Sequence, residues 1–394
     1  MPAARTQVAI VGAGPAGLML GHLLHLRGID SVILENRSRD HVIERVRAGV
    51  LEQGTVDLMT GAGVGDRLGR EGLRHEGIYI AFGGDRHRID MAGLTGGRGI
   101  TIYGQNEVVK DLMDARFRSG RELHFEVTDV QIGDLQTAKP TVRYRLNGAH
   151  FELSGDFIAG CDGSHGSCRP SIPASVVRTY EREYPFGWLG ILAEAAPSSD
   201  ELVYSRHDRG FALFSMRSPS VTRLYLQCAP DEDVEHWTDE RIWSELVARL
   251  RTADGWTPNI GPILQRGVTP MRSVVCEPMS YGRLFLAGDS AHIVPPTGAK
   301  GLNLAMADVA RLADALAAFY HAGDERPLQD YSARGLRRTW RAQRFAWWMT
   351  SMLHRHDAGN PFDDKRQLAE LEYLVSSRAA MTSLAENYVG TPFD

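Results

Sequence analysis

One stretch near the N-terminus constrains this chain more than any other: Val8-Ala-Ile-Val-Gly-Ala-Gly-Pro-Ala-Gly17. Its small apolar residues read as a buried parallel strand, and Gly12, Gly14 and Gly17 stand at the G-x-G-x-x-G spacing that opens a helix. Gly12 permits the tight turn, Gly14 lets a pyrophosphate approach the backbone, and Gly17 lets the helix lie close on the strand. The helix N-terminus then offers free N–H groups and partial positive charge to phosphates. Apolar residues continue through Leu24, and Gly28 is a natural stop. A second strand, Ser31–Leu34, ends on Glu35, the acid that such a unit uses to bond ribose hydroxyls. Glycines alone also mark ordinary turns; the strand before, the helix after and the acid beyond make this a dinucleotide fingerprint. The same run is a poor export signal, because it carries three glycines and a proline and has only Arg5 before it.

The 394 residues suffice for two or three domains. The net charge is -5, and there is neither a basic block nor an apolar run of membrane-spanning length. Nucleic-acid and membrane partners are therefore not expected. Cys161, Cys168, Cys228 and Cys276 form no C-x-x-C pair and stand near no histidine cluster, so no metal site is expected. Few, scattered cysteines fit a reducing cytoplasm.

Beyond Glu35 the pattern changes repeatedly. Residues 76–103 alternate and break at glycines, which predicts antiparallel hairpins. A helix is expected over 104–118, and strands over Val142–Leu146 and Phe151–Ala159. The apolar run ending at Cys161-Asp162-Gly163 is a strand closed by a turn. Residues 184–228 alternate again, and 235–251 read as a helix. A late strand, Leu284–Leu286, leads to Gly288-Asp289, then to a proline- and glycine-rich turn and a helix over Leu304–Tyr320. The tail is helical and aromatic. Arg and Gln interleave from Trp340 to Met352, which suits core packing and a homodimer contact. The expected fold is α/β: a Rossmann-like FAD-binding domain (1–75, 100–178, 271–320), an inserted antiparallel-sheet substrate domain (76–99, 179–270) and C-terminal helices (321–394).

FAD follows from three strand ends. Glu35, Asp162 and Asp289 can converge at the carboxyl edge of one sheet, where open α/β sheets bind ligands. A single fingerprint with a late second acidic strand end suits one long cofactor better than NAD. In order, Gly-Ala-Gly-Pro-Ala-Gly, Cys161-Asp162-Gly163 and Gly288-Asp289 resemble the three motifs of the flavin-dependent aromatic hydroxylases. Longer stretches carry the resemblance along essentially the whole chain: Arg45-Val-Arg-Ala-Gly-Val-Leu-Glu-Gln-Gly54, Tyr184-Pro-Phe-Gly-Trp-Leu-Gly190, His292-Ile-Val-Pro-Pro-Thr-Gly-Ala-Lys-Gly-Leu-Asn303 and Glu386-Asn-Tyr-Val-Gly390. They point to the branch acting on 4-hydroxybenzoate.

The resemblance implies FAD contacts at Glu35, Arg47, Gln105 and Asp289, with the flavin ring near Pro296, Lys300, Gly301, Leu302 and Asn303. Ser215, Arg217 and Tyr225 would hold the substrate carboxylate. Tyr204 would bond the phenolic oxygen, with Tyr388 behind it and His75 completing a proton path, and the Pro296 carbonyl would face the substrate hydroxyl. NADPH or NADH would bind transiently near Arg45, His165, Arg169 and Arg272, without a second Rossmann domain. The implied reaction has NAD(P)H reduce the FAD, O2 add to give a flavin C4a-hydroperoxide, and OH pass to the carbon ortho to the phenol. Arg217 follows Ser215 by two positions, so an extended segment puts both on one face, and an arginine fork matches a carboxylate. One segment departs from the NADPH-specific members, which carry an arginine at the position of Asn36 and a tyrosine at that of His41. Arg37 and Arg39 stand beside the gap, and relaxed nicotinamide specificity is expected. Two other readings are a sister hydroxylase of 3-hydroxybenzoate, salicylate or 4-aminobenzoate, and a flavin-bearing redox sensor that oxygenates nothing. The full set of Tyr204, Ser215, Arg217, Tyr225 and Tyr388 argues against both.

Overall fold

The computed structural model describes residues 3–44, 49–356 and 360–393. A six-stranded sheet takes the order Ser280–Tyr281, Leu284–Leu286, Phe157–Gly160, Val8–Val11, Ser31–Leu34, Leu123–His124. All its pairings are parallel except that of the Ser280–Tyr281 edge. Val8–Val11 and Phe157–Gly160 are buried at every position, as expected of parallel strands covered on both faces. The helix Pro15–Leu26 packs against Gln105–Arg118 and Gly301–Ala322. It lies close to its sheet because Gly21 has no side chain: a Cβ there would come within 2.8 Å of Ile33 Cδ1.

The second large sheet has eight strands: His292–Ile293, Ile263–Glu277, Arg178–Ala193, Val221–Cys228, Ala212–Ser218, Val203–Ser205, Gly77–Phe82, Asp85–Asp90. Its pairings are antiparallel except Val203–Ser205 beside Gly77–Phe82. The helix Asp239–Leu250, capped by Thr238, buries Ile242, Trp243, Leu246 and Leu250. Its contacts run to Ala212–Ser218 and Val203–Ser205. Three C-terminal helices, Arg326–Leu353, Pro361–Ser376 and Arg378–Val389, supply Phe345, Met349 and Met352, Leu371 and Leu374, and Leu384 and Tyr388 in turn to the core shared with this sheet. No helix among the described residues is long and apolar enough to cross a membrane.

Two local expectations need correction. Only residues 77–90 of the 76–103 segment form a hairpin, turning at Gly83 and Gly84 (φ 62° and 94°). Asp90 then accepts from Gly93 N and caps the short helix Met91–Thr95, which Gly96 ends at φ 69°. Ile100–Ile102 belongs instead to a three-stranded sheet between Val50–Glu52 and Leu73–His75. The stretch Phe151–Ala159 is two strands. It breaks at Gly155-Asp156, where Asp156 N turns to Gln7 O at 2.9 Å and the chain crosses between sheets.

Candidate active site

The parallel sheet presents its strand ends as expected. Gly12 has φ 105° and donates to Leu34 O at 2.7 Å; a Cβ there would sit 2.3 Å from the Cys161 carbonyl oxygen. At Gly17 a Cβ would fall 1.9 Å from Gly12 O. Gly14 differs from both, because a Cβ added there would meet nothing within 4 Å. It caps the helix Pro15–Leu26 with no side-chain bond, so no side chain occupies the helix's N-terminal N–H groups. Glu35 is buried and holds the turn by accepting from Ala13 N (2.7 Å) and Arg37 N (2.8 Å). Each oxygen keeps a lone pair for a ribose hydroxyl.

A second helix N-terminus lies at Gly301–Ala322, again without a side-chain cap. The N–H groups of Gly301, Leu302 and Asn303 precede its first helical bond, from Leu304 N to Lys300 O. The Lys300 and Asn303 side chains are committed elsewhere. Lys300 Nζ donates to Glu52 Oε1 (2.6 Å) and Tyr388 O (3.2 Å) and also to Asn387 O. Asn303 Nδ2 donates to Val50 O and Ala299 O, while its oxygen accepts from Glu52 N and Thr55. These two residues therefore bring backbone N–H groups, not side chains, to any ligand at this end. Asp162 is likewise used within the chain: Oδ2 accepts from Cys168 N at 2.8 Å, and burial raises the carboxyl pKa. Asp289 is half-buried in the turn Gly288–Ser290. Gln105 starts its helix half-buried. Pro296 is exposed, and its carbonyl accepts from Ala299 N at 2.9 Å.

On the eight-stranded sheet, register gathers residues far apart in sequence. Tyr204 pairs with Leu213, Leu213 with Tyr225, and Tyr225 with Gly190, so all four lie in one row on one face. Ser215 stands two residues along from Leu213, opposite Arg223. The register shifts between Met216 and Ser218, a bulge at Arg217, and bulges re-aim side chains. Arg217 meets the Tyr225 hydroxyl; burial lowers its pKa, with Tyr225 opposing. Gly190 makes room here, since a Cβ would stand 2.7 Å from Arg223 Nη2 and 3.4 Å from Tyr225. Tyr388, on the last helix, closes over this face with an edge-on ring and a short hydroxyl–hydroxyl bond to Tyr204. Burial raises the pKa of both phenols, so both stay protonated at neutral pH. His75 is 1% exposed, and neither ring nitrogen has a partner. Burial pulls its pKa down to about 4, with Glu201 and Asp200 opposing, so the ring is neutral.

Two neighbours escaped the sequence reading. Arg223 lies over the Tyr225 ring at 5.2 Å, a position that the strict alternation of Val221–Cys228 could have given. His354 could not have been found, because it comes from a distant helix. Its Nδ1–H donates to Thr350 O (3.0 Å), and its Nε2 accepts from Trp188 Nε1 (2.7 Å). Burial holds this ring neutral, with a pKa of about 3. Trp188 in turn packs on Tyr225 at 4.7 Å and on Phe211 at 5.2 Å.

The residues expected to meet a nicotinamide cofactor are spread over the surface. Asn36, Arg37, His41 and His165 are exposed. Arg169 donates to Ser164 O, and Arg272 lies 3.7 Å from Glu181. Arg39 is drawn over the Phe117 ring at 5.1 Å. Arg45 and Arg47 lie outside the described residues. Among the described residues no group of three His, Cys, Asp or Glu could hold a metal ion.

A phosphate cradle at Gly14, an acid for ribose and a second helix N-terminus suit a long dinucleotide, and an enclosed aromatic face lies on the neighbouring sheet. These are the parts of an FAD-dependent aromatic monooxygenase, and residues 5–346 match the family model described as FAD binding domain. The chain is 50% identical over 394 residues to the p-hydroxybenzoate hydroxylase of Acinetobacter baylyi, covering 100% of this chain and 97% of that one. It belongs to that family of flavin-dependent hydroxylases. Among solved structures, the p-nitrophenol 4-monooxygenase of Pseudomonas putida superposes with TM-score 0.83 at 19% identity, covering 99% of both chains. An aklavinone-11 hydroxylase in complex with FAD and aklavinone superposes with TM-score 0.74 at 22% identity, over 90% of this chain and 70% of that one. At such identities these two establish the shared fold.

Proposed function

We propose that this enzyme hydroxylates 4-hydroxybenzoate ortho to its phenol, giving 3,4-dihydroxybenzoate at the expense of O2 and NADPH or NADH. The observation that carries the substrate is the register row of Tyr204, Leu213 and Tyr225, with Ser215 and Arg217 along it and Tyr388 closing it. It sets a carboxylate-binding group at one end of an apolar face and a phenol-binding group at the other. Arg217 supplies a fork to the carboxylate, Ser215 and Tyr225 add hydroxyl donors, and charge-assisted bonds of this kind contribute roughly 1.5–3 kcal/mol each. Arg223 adds a second positive charge beside them.

The FAD supplies, when bound, the reduction by nicotinamide and the activation of O2. Gly14 and the N-terminus of Pro15–Leu26 would hold its pyrophosphate, with Glu35 on the ribose. Asp289 and the N–H groups of Gly301, Leu302 and Asn303 would meet the flavin half, with Gln105, Arg47 and the Pro296 segment beside them. The protein's own part in the chemistry is to make the substrate a better nucleophile. A phenolate donates electrons to its ring far better than a phenol, and an unperturbed phenol has a pKa near ~10. Tyr204, kept protonated by burial, can donate its hydroxyl to the substrate oxygen and stabilise that phenolate. Its bond to Tyr388 gives the departing proton a path. His75, neutral and with both nitrogens unpaired, is suited to receive that proton and pass it on. The closed aromatic face keeps water from the reaction.

The same reading places transient nicotinamide binding at Asn36, Arg37, His41, Arg45, His165, Arg169 and Arg272. It makes residues 1–75, 100–178 and 271–320 the FAD-binding portion and 76–99 with 179–270 the substrate sheet, in a cytoplasmic homodimer joined through 321–394. The test is oxidation of NADPH and of NADH by the FAD-loaded enzyme, with and without 4-hydroxybenzoate, with products identified chromatographically. Substrate-stimulated oxidation yielding 3,4-dihydroxybenzoate is expected. Equal rates with and without substrate, or a different product, would refute the assignment.

A further inference from the structure

Between the helices Gly301–Ala322 and Arg326–Leu353 lies a cavity of about 180 Å³; it adjoins one lined by Lys300 and Glu52, with Arg338 and Arg341 common to both. It is lined by Arg311, Arg334, Arg337, Arg338, Arg341 and Thr391. Arg338 is held by Thr391 O and Pro392 O (2.8 Å each), with Glu52 Oε2 at 3.7 Å; the other four guanidinium groups repel one another unless something negative lies among them. The described residues supply little. Arg334, Arg337 and Arg341 are exposed and make no hydrogen bond or ion pair with described residues. Of the nearby acids, Glu52 accepts from Lys300 (2.6 Å), Asp308 Oδ2 accepts from His292 (2.7 Å) and Gly288 N (3.1 Å), and Glu386 lies in the adjoining cavity shared with Arg338 and Arg341. Arg311 is the independent indication. It is 8% exposed, and its Nε and Nη1 make no hydrogen bond. Among the described residues it forms an ion pair with Asp308, whose Oδ1, itself without a hydrogen bond, lies 3.7 Å from Nη1, too far for a good hydrogen bond. A buried guanidinium with unused donors is costly unless a ligand uses them.

We propose that this cavity is a second anion site, taking a phosphate or diphosphate group. The cavity has room for about six waters at ~30 Å³ each, enough for such a group. Arginine forks bind planar and tetrahedral oxyanions through paired bonds. The recognising chemistry is the same whether the group is a free ion or part of a nucleotide. The site lies over Asp308, which holds the backbone of Gly288 beside Asp289, so an occupant that draws on Arg311 acts one residue away from the FAD-binding turn.

The experiment is calorimetric titration of the FAD-loaded, full-length enzyme with inorganic phosphate, pyrophosphate and ADP at constant ionic strength. Saturable binding is expected for pyrophosphate, weakened at least tenfold in Arg311→Gln and in the surface double variant Arg334→Gln/Arg337→Gln. Should Arg311→Gln not fold, the surface variant decides alone. ADP binding more tightly than pyrophosphate, with the same loss in the variants, identifies a nucleotide as the source; equal affinities identify a free ion. Either supports the site. No saturable binding, affinities unchanged in the surface variant, or loss reproduced by Arg37→Gln alone would overturn it, the last by moving the anion to the nicotinamide surface.

Discussion

Gly12 and Gly14 belong to one motif, yet the structure predicts opposite consequences for replacing them by alanine. At Gly12 the backbone has φ 105°, and the new methyl would lie 2.3 Å from Cys161 O and 2.9 Å from Asp162 Cα. These are backbone atoms just past the end of the neighbouring strand Phe157–Gly160 and cannot move aside as a side-chain tip would. A left-handed conformation costs an alanine roughly 1–2 kcal/mol, and forced overpacking typically adds about 1–3 kcal/mol. Gly12→Ala should therefore lose about 2–5 kcal/mol of stability with or without FAD. At Gly14 the backbone is extended (φ -69°, ψ -179°), and the methyl would meet no protein atom within 4 Å. FAD-stripped Gly14→Ala should melt within a degree or two of the wild type, because neither strain nor overlap is introduced. Its cost should appear only on adding FAD. The methyl stands where the pyrophosphate would approach, and losing one or two charge-assisted bonds at about 1.5 kcal/mol each weakens binding roughly 10- to 100-fold. Thermal melts of the stripped proteins, paired with titration of flavin fluorescence, separate the two effects. Wild-type FAD affinity in Gly14→Ala, or wild-type stability in Gly12→Ala, would refute the assignment of the cradle.

Arg217→Lys should weaken 4-hydroxybenzoate binding about tenfold or more, since an ammonium cannot reproduce the paired bonds of the fork; perturbation of the flavin absorbance by substrate measures this. Tyr204→Phe should leave flavin reduction by NAD(P)H intact but divert O2 to hydrogen peroxide, so that product formed per NAD(P)H consumed falls well below one; full coupling would remove Tyr204 from substrate activation. Acid stability should depend on His75: the unfolded ring takes a proton near pH ~6.5 and the folded ring only near about 4. The unfolded state therefore binds more protons between these values, so stability is complete above ~6.5 and falls by about 3 kcal/mol as pH drops through that window. His75→Gln should flatten that part of the melting-temperature profile by one proton's worth. Asn36→Arg should raise kcat/KM for NADPH relative to NADH by about tenfold; a wild type that already rejects NADH would show that Arg37, exposed beside Asn36, does the work of the missing cation.

Sequence alone determined what short-range stereochemistry can encode. The spacing of Gly12, Gly14 and Gly17 specifies a strand, a turn and a helix within ten residues, and Glu35 follows because one βαβ unit has a nearly fixed length. Alternation in 221–228 could have put Arg223 with Tyr225 before any pairing was known, whereas the expected pairing of Ser215 with Arg217 on one face meets a bulge at Arg217 that breaks the alternation. Only the tertiary structure decided how those strands align, and alignment is what makes a site. Register set Tyr204, Leu213 and Tyr225 in one row, and nothing local in 203–205 fixes which neighbour it will find. Tyr388 meets Tyr204 across 184 residues of chain, and His354 braces Trp188 across 166. Lys300 and Asn303 show the reverse limit: their motif was expected to mark the flavin end, but packing turned both side chains inward to Glu52 and Val50. The five arginines around the cavity stand on two helices, four within about two turns of one, 334–341, and Arg311 on the other. Read along the chain they are ordinary surface charges. Their convergence is a property of how the helices pack, because charge acts through space and not along sequence.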